Sequence, residues 1–215
     1  MSQPLKLAIL ISGNGSNLQS IIDAIESGRL DAEIRAVISN NGEAYGLQRA
    51  TRHGLPTRVL DHREYADRAR YDEALQHYLE SIEPDYIVLA GFMRILGPGI
   101  VDAFENRILN IHPSLLPAYK GLNTHQRALD NGEQKHGVSI HLVTAKLDDG
   151  PVILQASYPI EAGDRAEDLQ HKGHRLEHQM YPQVLRWLGN RNLVIEGGKL
   201  FYEQALLEEP LQFNA

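Results

Sequence analysis

Apolar residues form two kinds of segment that alternate along the first half of the chain. Short continuous runs, such as residues 6–11 (KLAILI), have the length of a strand buried on both faces. Between such runs, apolar residues recur every three or four positions, which is typical of an amphipathic helix. An example is the set Leu18, Ile21, Ile22 and Ile25. Strands alternating with helices at this spacing predict a parallel α/β sheet with right-handed crossovers.

The same reading assigns the other elements. Further strands are predicted at residues 33–39, 57–60, 86–90 and 107–111, and helices at residues 45–53, 71–82 and 165–188. Residues 138–144 and 152–160 predict two strands that a short turn joins in antiparallel fashion, and residues 193–195 and 199–202 a C-terminal hairpin. We therefore predict an α/β fold: an open, mostly parallel twisted sheet with helices on both faces and antiparallel strands in the C-terminal half. One domain over residues 1–189 carries a tail, residues 190–215.

Composition narrows the class of protein. The 215 residues are 42% hydrophobic and 23% charged, which is ordinary for a globular protein. The net charge of −7 argues against a mainly electrostatic nucleic-acid binder, and the absence of cysteine excludes disulfide scaffolds, thiol nucleophiles and thiolate metal sites. No stretch approaches the length of a membrane span or has the flanks of a signal peptide. We expect a soluble, cytoplasmic protein that binds neither nucleic acid nor a membrane.

The first candidate site is GNGSN, residues 13–17, between the first strand and the first helix. A glycine-rich turn before a helix N-terminus suits a phosphate group. The P-loop lysine is absent, and Leu18 stands where a dinucleotide fingerprint needs a third glycine, so a phosphomonoester is the better ligand. The alternative is a plain tight turn in which Ser16 or Asn17 caps the helix.

The second candidate site combines NIHPS, residues 110–114, with LDDGP, residues 147–151. Asn110 and His112 are two residues apart, so an extended chain points both side chains to one face, where they can stabilise an oxyanion or transfer a proton. Asp148 has the chemistry to support His112 if the chain folds back. The alternatives are a loop histidine that only hydrogen-bonds and an ordinary Asp-Gly turn.

The remaining histidines favour structural roles. His174 and His178 are one helical turn apart and could share a metal ion, but without a third ligand the group His171, His174 and His178 is better explained as a solvated helix face. His141 alternates with apolar neighbours in a strand and faces away from Ile140, so we interpret it as structural.

Five segments together resemble the phosphoribosylglycinamide formyltransferase family, folate-dependent enzymes of purine biosynthesis. They are ISGNGSNLQSII (11–22), LAGFMRIL (89–96), LNIHPSLLPAYKGL (109–122), HGVSIHLV (136–143) and LDDGPVILQ (147–155). The resemblance extends over about residues 5–188, and beyond Gly189 we identify no motif. It therefore identifies residues 1–189 as a formyltransferase domain.

The resemblance implies substrates and site residues. It implies transfer of the formyl group of 10-formyltetrahydrofolate to the amine of glycinamide ribonucleotide, with no metal, by a monomer or homodimer. The implied catalytic residues are Asn110, His112 and Asp148. The implied ribonucleotide-binding residues are Gly15, Ser16, Asn17 and Glu177. The implied folate-binding residues are Arg68, Met93, Arg94, Ile95, Leu96, Asn110, Thr144 and Asp148.

The implied mechanism is direct attack of the amine through a tetrahedral intermediate, with Asn110 and protonated His112 donating to its oxygen and Asp148 supporting the imidazolium. Three alternatives remain. A formyltetrahydrofolate deformylase uses water as the acceptor but normally carries an N-terminal regulatory domain, which we do not expect here because the first strand is predicted from residue 6. A methionyl-tRNA formyltransferase needs a C-terminal tRNA-binding domain, for which we expect the residues after 189 to be too few, and the acidic charge balance argues against it. A non-catalytic phospho-ligand-binding protein has no use for Asn110, His112 and Asp148 together.

Overall fold

The computed structural model describes residues 3–214. They form two compact units with the boundary between Leu109 and Asn110. No helix in this part of the chain is both long and apolar enough to cross a bilayer.

The first unit alternates strands and helices as predicted. It contains β1 (Leu5–Ile11), α1 (Ser16–Glu26), β2 (Ala32–Ser39), α2 (Tyr45–Arg52), β3 (Thr57–Val59), α3 (Arg68–Ile82), β4 (Tyr86–Leu89) and α4 (Pro98–Ala103), with a 3₁₀ turn at His62–Glu64. The strand order is β4-β1-β2-β3, and each neighbouring pair is parallel. The predicted parallel α/β arrangement is confirmed, and α4 is an element that the sequence analysis did not predict.

The core of the first unit follows from its apolar patterns. In β1, every residue except Lys6 is buried, as expected for a central strand covered on both faces. The predicted stripe of α1 is also inside, with Leu18 and Ile21 fully buried. Each such side chain contributes roughly 1.5–3 kcal/mol of transfer free energy, so the core fixes the loop at the carboxyl end of β1.

The second unit begins within β5 (Ile108–His112), whose last three residues belong to it. It continues with α5 (Thr124–Asp130), β6 (Lys135–Leu142), β7 (Val152–Pro159), α6 (Ala166–Gly189), β8 (Leu193–Glu196), β9 (Lys199–Tyr202), β10 (Ala205–Leu206) and β11 (Leu211–Gln212). β6 and β7 are antiparallel, which confirms the prediction, with a register shift between Ile140 and His141. The long helix, expected at residues 165–188, is α6, and it packs on β6 and β7.

The C-terminal tail is more ordered than a simple hairpin. β8 and β9 pair antiparallel as predicted, and β10 adds a third strand to this small sheet. β11 instead pairs parallel with β7, placing Leu211 beside Leu154 and Gln212 beside Gln155. The tail therefore covers the edge of β7, which would otherwise present unpaired backbone groups. Neither α5 nor the short strands β10 and β11 were predicted.

Candidate functional site

The end of β5 brings a histidine and a carboxylate together. His112 is the last residue of β5, and its Nδ1 lies 3.5 Å from Oδ2 of Asp148, in the loop between β6 and β7. Both side chains are buried, with 7% and 8% of their surface exposed. Asp148 has a left-handed backbone conformation (φ 47°), which aspartate adopts more readily than most residues. The chain does fold back between the two sequence motifs.

Asn110 is connected to this cluster by a hydrogen bond with His141. The interpretation of His141 as a structural residue did not include this contact. The Nδ1 atom of His141 lies 2.7 Å from the carbonyl oxygen of Leu142, which can only accept, so Nδ1 carries the hydrogen. Burial lowers the pKa of His141 and favours the neutral ring, although the Leu142 carbonyl and Asp148 oppose this. Its Nε2 therefore accepts from the Asn110 amide nitrogen at 3.1 Å. This bond fixes the orientation of the Asn110 amide.

The loop after His112 is held by a buried hydrogen-bond network. The Gln155 amide nitrogen donates to the Leu116 carbonyl at 2.8 Å and to the Ser139 hydroxyl at 2.9 Å. That hydroxyl donates to the Ser114 carbonyl at 2.7 Å and accepts from the Leu116 N–H at 3.1 Å. β6 and β7 thus support the loop that follows His112, and nothing in the local sequence pattern indicates these hydrogen bonds.

Other histidines of the second unit lie near this loop. The rings of His125 and His136 are 5.1 Å apart and edge to face. Burial lowers the pKa of His125 to about 4 and also lowers that of His136. On α6, His171 is exposed, but His174 and His178 are partly buried and their rings stack 6.0 Å apart. The prediction of a solvated helix face is therefore correct for His171 and wrong for His174 and His178. No group of three metal-binding side chains occurs within residues 3–214.

Glu177 and Thr144, both implied by the family resemblance, lie in the second unit. Glu177 is a buried residue of α6. Burial, with a smaller effect of the Glu177 charge, raises the pKa of Tyr181 well above its usual range. Thr144 is exposed after β6, with its hydroxyl 3.3 Å from the Lys146 carbonyl.

In the first unit, the loop at residues 13–17 lies against α2. Gly15 is the N-cap residue of α1 and has a left-handed φ of 72°. No side-chain hydrogen bond caps the helix, so the alternative in which Ser16 or Asn17 caps α1 is wrong. A Cβ on Gly15 would come 2.7 Å from the Cα of Gly46 in α2, so this approach needs both glycines. The Gly46 N–H also donates to the Gly13 carbonyl at 3.0 Å.

Arg49 of α2 fixes the same loop, and the sequence analysis missed it. Its guanidinium donates to the backbone carbonyl of Asn14 at 2.9 Å and to the side-chain oxygen of Asn14 at 3.1 Å. An arginine one helical turn after Gly46 is the only local signal that could have indicated the contact. The loop is thereby held with its glycine turn next to a positive charge.

The predicted folate residues of the first unit form one group. The Met93 N–H donates to the Ser12 hydroxyl at 2.8 Å, which ties residues 93–96 to the end of β1. Arg68, the first residue of α3, donates to the Ile95 carbonyl at 3.1 Å. The side chains of Met93 and Ile95 are 69% and 59% exposed, whereas Leu96 is buried. Exposed apolar side chains beside an arginine suit a ligand with both an apolar ring and an anionic group.

Arg94, the remaining member of that group, stacks on an aromatic ring. Its guanidinium carbon lies 4.8 Å from the centroid of the buried Tyr71 ring. This contact directs Arg94 toward α3 and holds residue 94 against that helix, while its role in folate binding stays a prediction.

Known proteins resemble this chain over most of its length. The formyl transferase family model matches residues 5–185. A phosphoribosylglycinamide formyltransferase of Escherichia coli (strain K12) is 48% identical over 189 residues, which are 88% of this chain and 89% of that protein. One from Haemophilus influenzae is 46% identical, covering 85% and 86% of the two chains. The solved structure of one from Coxiella burnetii superposes with a TM-score of 0.93 at 48% identity, covering 98% of this chain and 100% of that chain. The chain belongs to the formyl transferase family.

Proposed function

We propose that this protein transfers the formyl group of 10-formyltetrahydrofolate to the amine of glycinamide ribonucleotide, a step of purine biosynthesis. The observation that carries the proposal is the buried cluster at the end of β5. There, His112 faces Asp148 at 3.5 Å and the Asn110 amide is oriented by His141 at 3.1 Å. The residues of this cluster lie within the range that the family model matches.

The reaction needs stabilisation of negative charge on the formyl oxygen. The ribonucleotide amine attacks the formyl carbon, a new C–N bond forms, and the carbonyl electrons move to oxygen. Asn110 has a second amide hydrogen that is not committed to His141 and can donate to this oxygen, and protonated His112 adds a positive charge in the same cluster. A well-placed donor of this kind lowers such a barrier by roughly 3–4 kcal/mol.

The reaction also moves one proton. The attacking amine loses a proton, and the folate nitrogen that leaves gains one when the old C–N bond breaks. His112 and Asp148 form a buried pair that can hold a proton between these events. Asp148 stabilises the imidazolium of His112, so the pair supports both the oxyanion and the proton transfer.

The two substrates have separate anchors. The phosphate of the ribonucleotide binds at the uncapped N-terminus of α1, through Gly15, Ser16 and Asn17, where backbone N–H groups and the helix dipole favour an anion. The family resemblance also assigns Glu177, a buried residue of α6, to ribonucleotide binding.

The folate has its own candidate residues. Arg68 binds the anionic part of the folate, and the loop at residues 93–96 contacts its ring. The family resemblance also assigns Asn110, Thr144 and Asp148 to folate binding. Because the chain has a net charge of −7, these local donors must outweigh its overall field to bind two anionic ligands.

A single assay separates transfer from hydrolysis. Purified protein is mixed with 10-formyltetrahydrofolate or a deaza analogue, with and without glycinamide ribonucleotide, and folate release is followed. Transfer predicts release only when the ribonucleotide is present, whereas release without it indicates a deformylase. His112→Ala should lose release, and His171→Ala, an exposed histidine on α6, is the matched control that should keep it. A protein that binds the ribonucleotide but never releases folate would be a non-catalytic binder.

A further inference from the structure

A three-residue segment in the loop after His112 contacts both members of the His112–Asp148 pair through its first and last residues. We call Tyr119, Lys120 and Gly121 the 119–121 segment. The backbone carbonyl of Tyr119 lies 2.9 Å from Nε2 of His112. The backbone N–H of Gly121 donates to Oδ2 of Asp148 at 2.9 Å. Two backbone groups, two residues apart, therefore contact the histidine and the carboxylate at the same time.

These contacts determine which nitrogen of His112 is available for chemistry. A carbonyl oxygen can only accept, so Nε2 of His112 carries a hydrogen in this arrangement. Nδ1 then faces Oδ2 of Asp148, the same oxygen that Gly121 holds. The carbonyl thus keeps a hydrogen on Nε2 and orients the ring, as partners of a histidine's second nitrogen commonly do.

We propose that the 119–121 segment is the element that positions the catalytic pair, with Tyr119 and Gly121 as positioning residues. This inference rests on the proposed function. The segment keeps Nε2 of His112 protonated and its Nδ1 directed at Asp148, so Nδ1 is the nitrogen that gains and loses the proton during formyl transfer. Neither positioning residue touches the reacting atoms through its side chain.

The segment is built to stay in one conformation. Tyr119 and Gly121 both have left-handed backbone angles, with φ of 55° and 80°. The Tyr119 hydroxyl donates to Oε1 of Glu133 at 2.6 Å and accepts from the Asn131 amide at 3.0 Å. Arg127 of α5 donates to the backbone carbonyl in the middle of the segment at 2.7 Å. Side chains of α5 and the turn after it therefore hold the unusual backbone in place.

Glycine substitutions give the sharpest kinetic test. A Cβ on Gly121 would meet no atom within 4 Å, so Gly121→Ala disturbs only the backbone angle. Gly163, in the turn before α6, has φ 89° and is equally open, which makes Gly163→Ala a matched control. We expect Gly121→Ala to lower kcat about 10- to 30-fold with both KM values within about twofold, and Gly163→Ala to leave kcat unchanged.

A second variant tests the anchor of the segment. Tyr119→Phe keeps the ring and removes only the hydroxyl that bonds Glu133 and Asn131. We expect kcat to fall about three- to tenfold without a change in KM. Equal kcat values for Gly121→Ala and Gly163→Ala, or a loss that appears only in KM, would overturn the proposal.

A spectroscopic measurement tests the positioning without activity. In ¹⁵N-labelled wild-type protein at alkaline pH, the nitrogen shifts of neutral His112 should report the tautomer with hydrogen on Nε2, and Gly121→Ala should show a mixture of tautomers. A wild-type ring with hydrogen on Nδ1 contradicts the proposal even if Gly121→Ala does not fold. Because this readout needs no substrate, a protein that fails to transfer formyl refutes the proposed function alone.

Discussion

Replacing Asp148 by asparagine removes a charge while keeping the shape of the side chain. The carboxylate lies 3.5 Å from Nδ1 of His112, and both side chains are more than nine-tenths buried. Opposite unit charges at that distance attract by about 5 kcal/mol at an effective dielectric constant of about 20. Asparagine still offers an oxygen to the Gly121 N–H, and relaxation of the site recovers part of the rest. A loss of about 3–4 kcal/mol remains, which predicts a kcat lower by about 100- to 1000-fold.

Steady-state kinetics with both substrates varied measures this effect. The KM values should stay within about threefold, because the change acts mainly on the charged state formed during the reaction. Asp102→Asn is the control for loss of a carboxylate, since Asp102 is an exposed residue of α4 and should change kcat by less than about threefold. If Asp148→Asn folds normally and keeps kcat within threefold of the wild type, the electrostatic role of Asp148 is refuted.

Three further predictions concern stability and the phosphate loop. The pKa of His125 is about 4 in the folded protein and 6.5 in the unfolded chain, so between these pH values protonation favours the unfolded chain. The free energy of unfolding in urea should therefore be about 1–2 kcal/mol lower at pH 5 than at pH 7, and His125→Asn should reduce that difference. An unchanged difference in His125→Asn would show that His125 is not its source. A Cβ on Gly46 would lie 2.5 Å from Cδ1 of Ile11 and 3.2 Å from Cα of Gly15, so Gly46→Ala displaces the end of β1 and the Gly15 turn. It should raise the ribonucleotide KM about tenfold with little change in kcat, whereas Gly42→Ala, whose Cβ would lie 3.7 Å from the nearest atom, should match the wild type. Equal KM values for the two variants would contradict this. Gln155→Leu leaves the buried carbonyl of Leu116 without its hydrogen-bond donor and should lower the free energy of unfolding by about 1–3 kcal/mol, measured by thermal or urea unfolding. An unchanged free energy would show that the hydrogen bonds of Gln155 do not stabilise the fold.

Short-range patterns were sufficient to predict most of the long elements. The strand at residues 6–11 and the helix at residues 165–188 were placed within about one residue of β1 and α6, because each buries a continuous or periodic apolar set. The sequence patterns did not predict α5 and β11, for two different reasons. α5 has only seven residues and little apolar periodicity, and β11 exists only through its long-range pairing with β7.

In the candidate site, too, short-range geometry predicts some features and long-range pairing determines others. The common face of Asn110 and His112 follows from strand geometry, since the two residues are two apart. The contact between His141 and Asn110 does not follow, because the register of β6 shifts between Ile140 and His141 and the hydrogen bond crosses 31 positions of sequence. A bulge re-aims a side chain in a way that alternation within one strand cannot predict.

The fate of the formyl carbon itself separates formyl transfer from hydrolysis. Wild-type protein is incubated with 10-formyltetrahydrofolate labelled with ¹³C in the formyl group and with glycinamide ribonucleotide, and the label is followed by NMR. We expect the label to appear as the formamide of the ribonucleotide, and Asp148→Asn to slow its appearance at least about 100-fold. Label released as formate, with the ribonucleotide amine unchanged, would refute formyl transfer as the function of this protein.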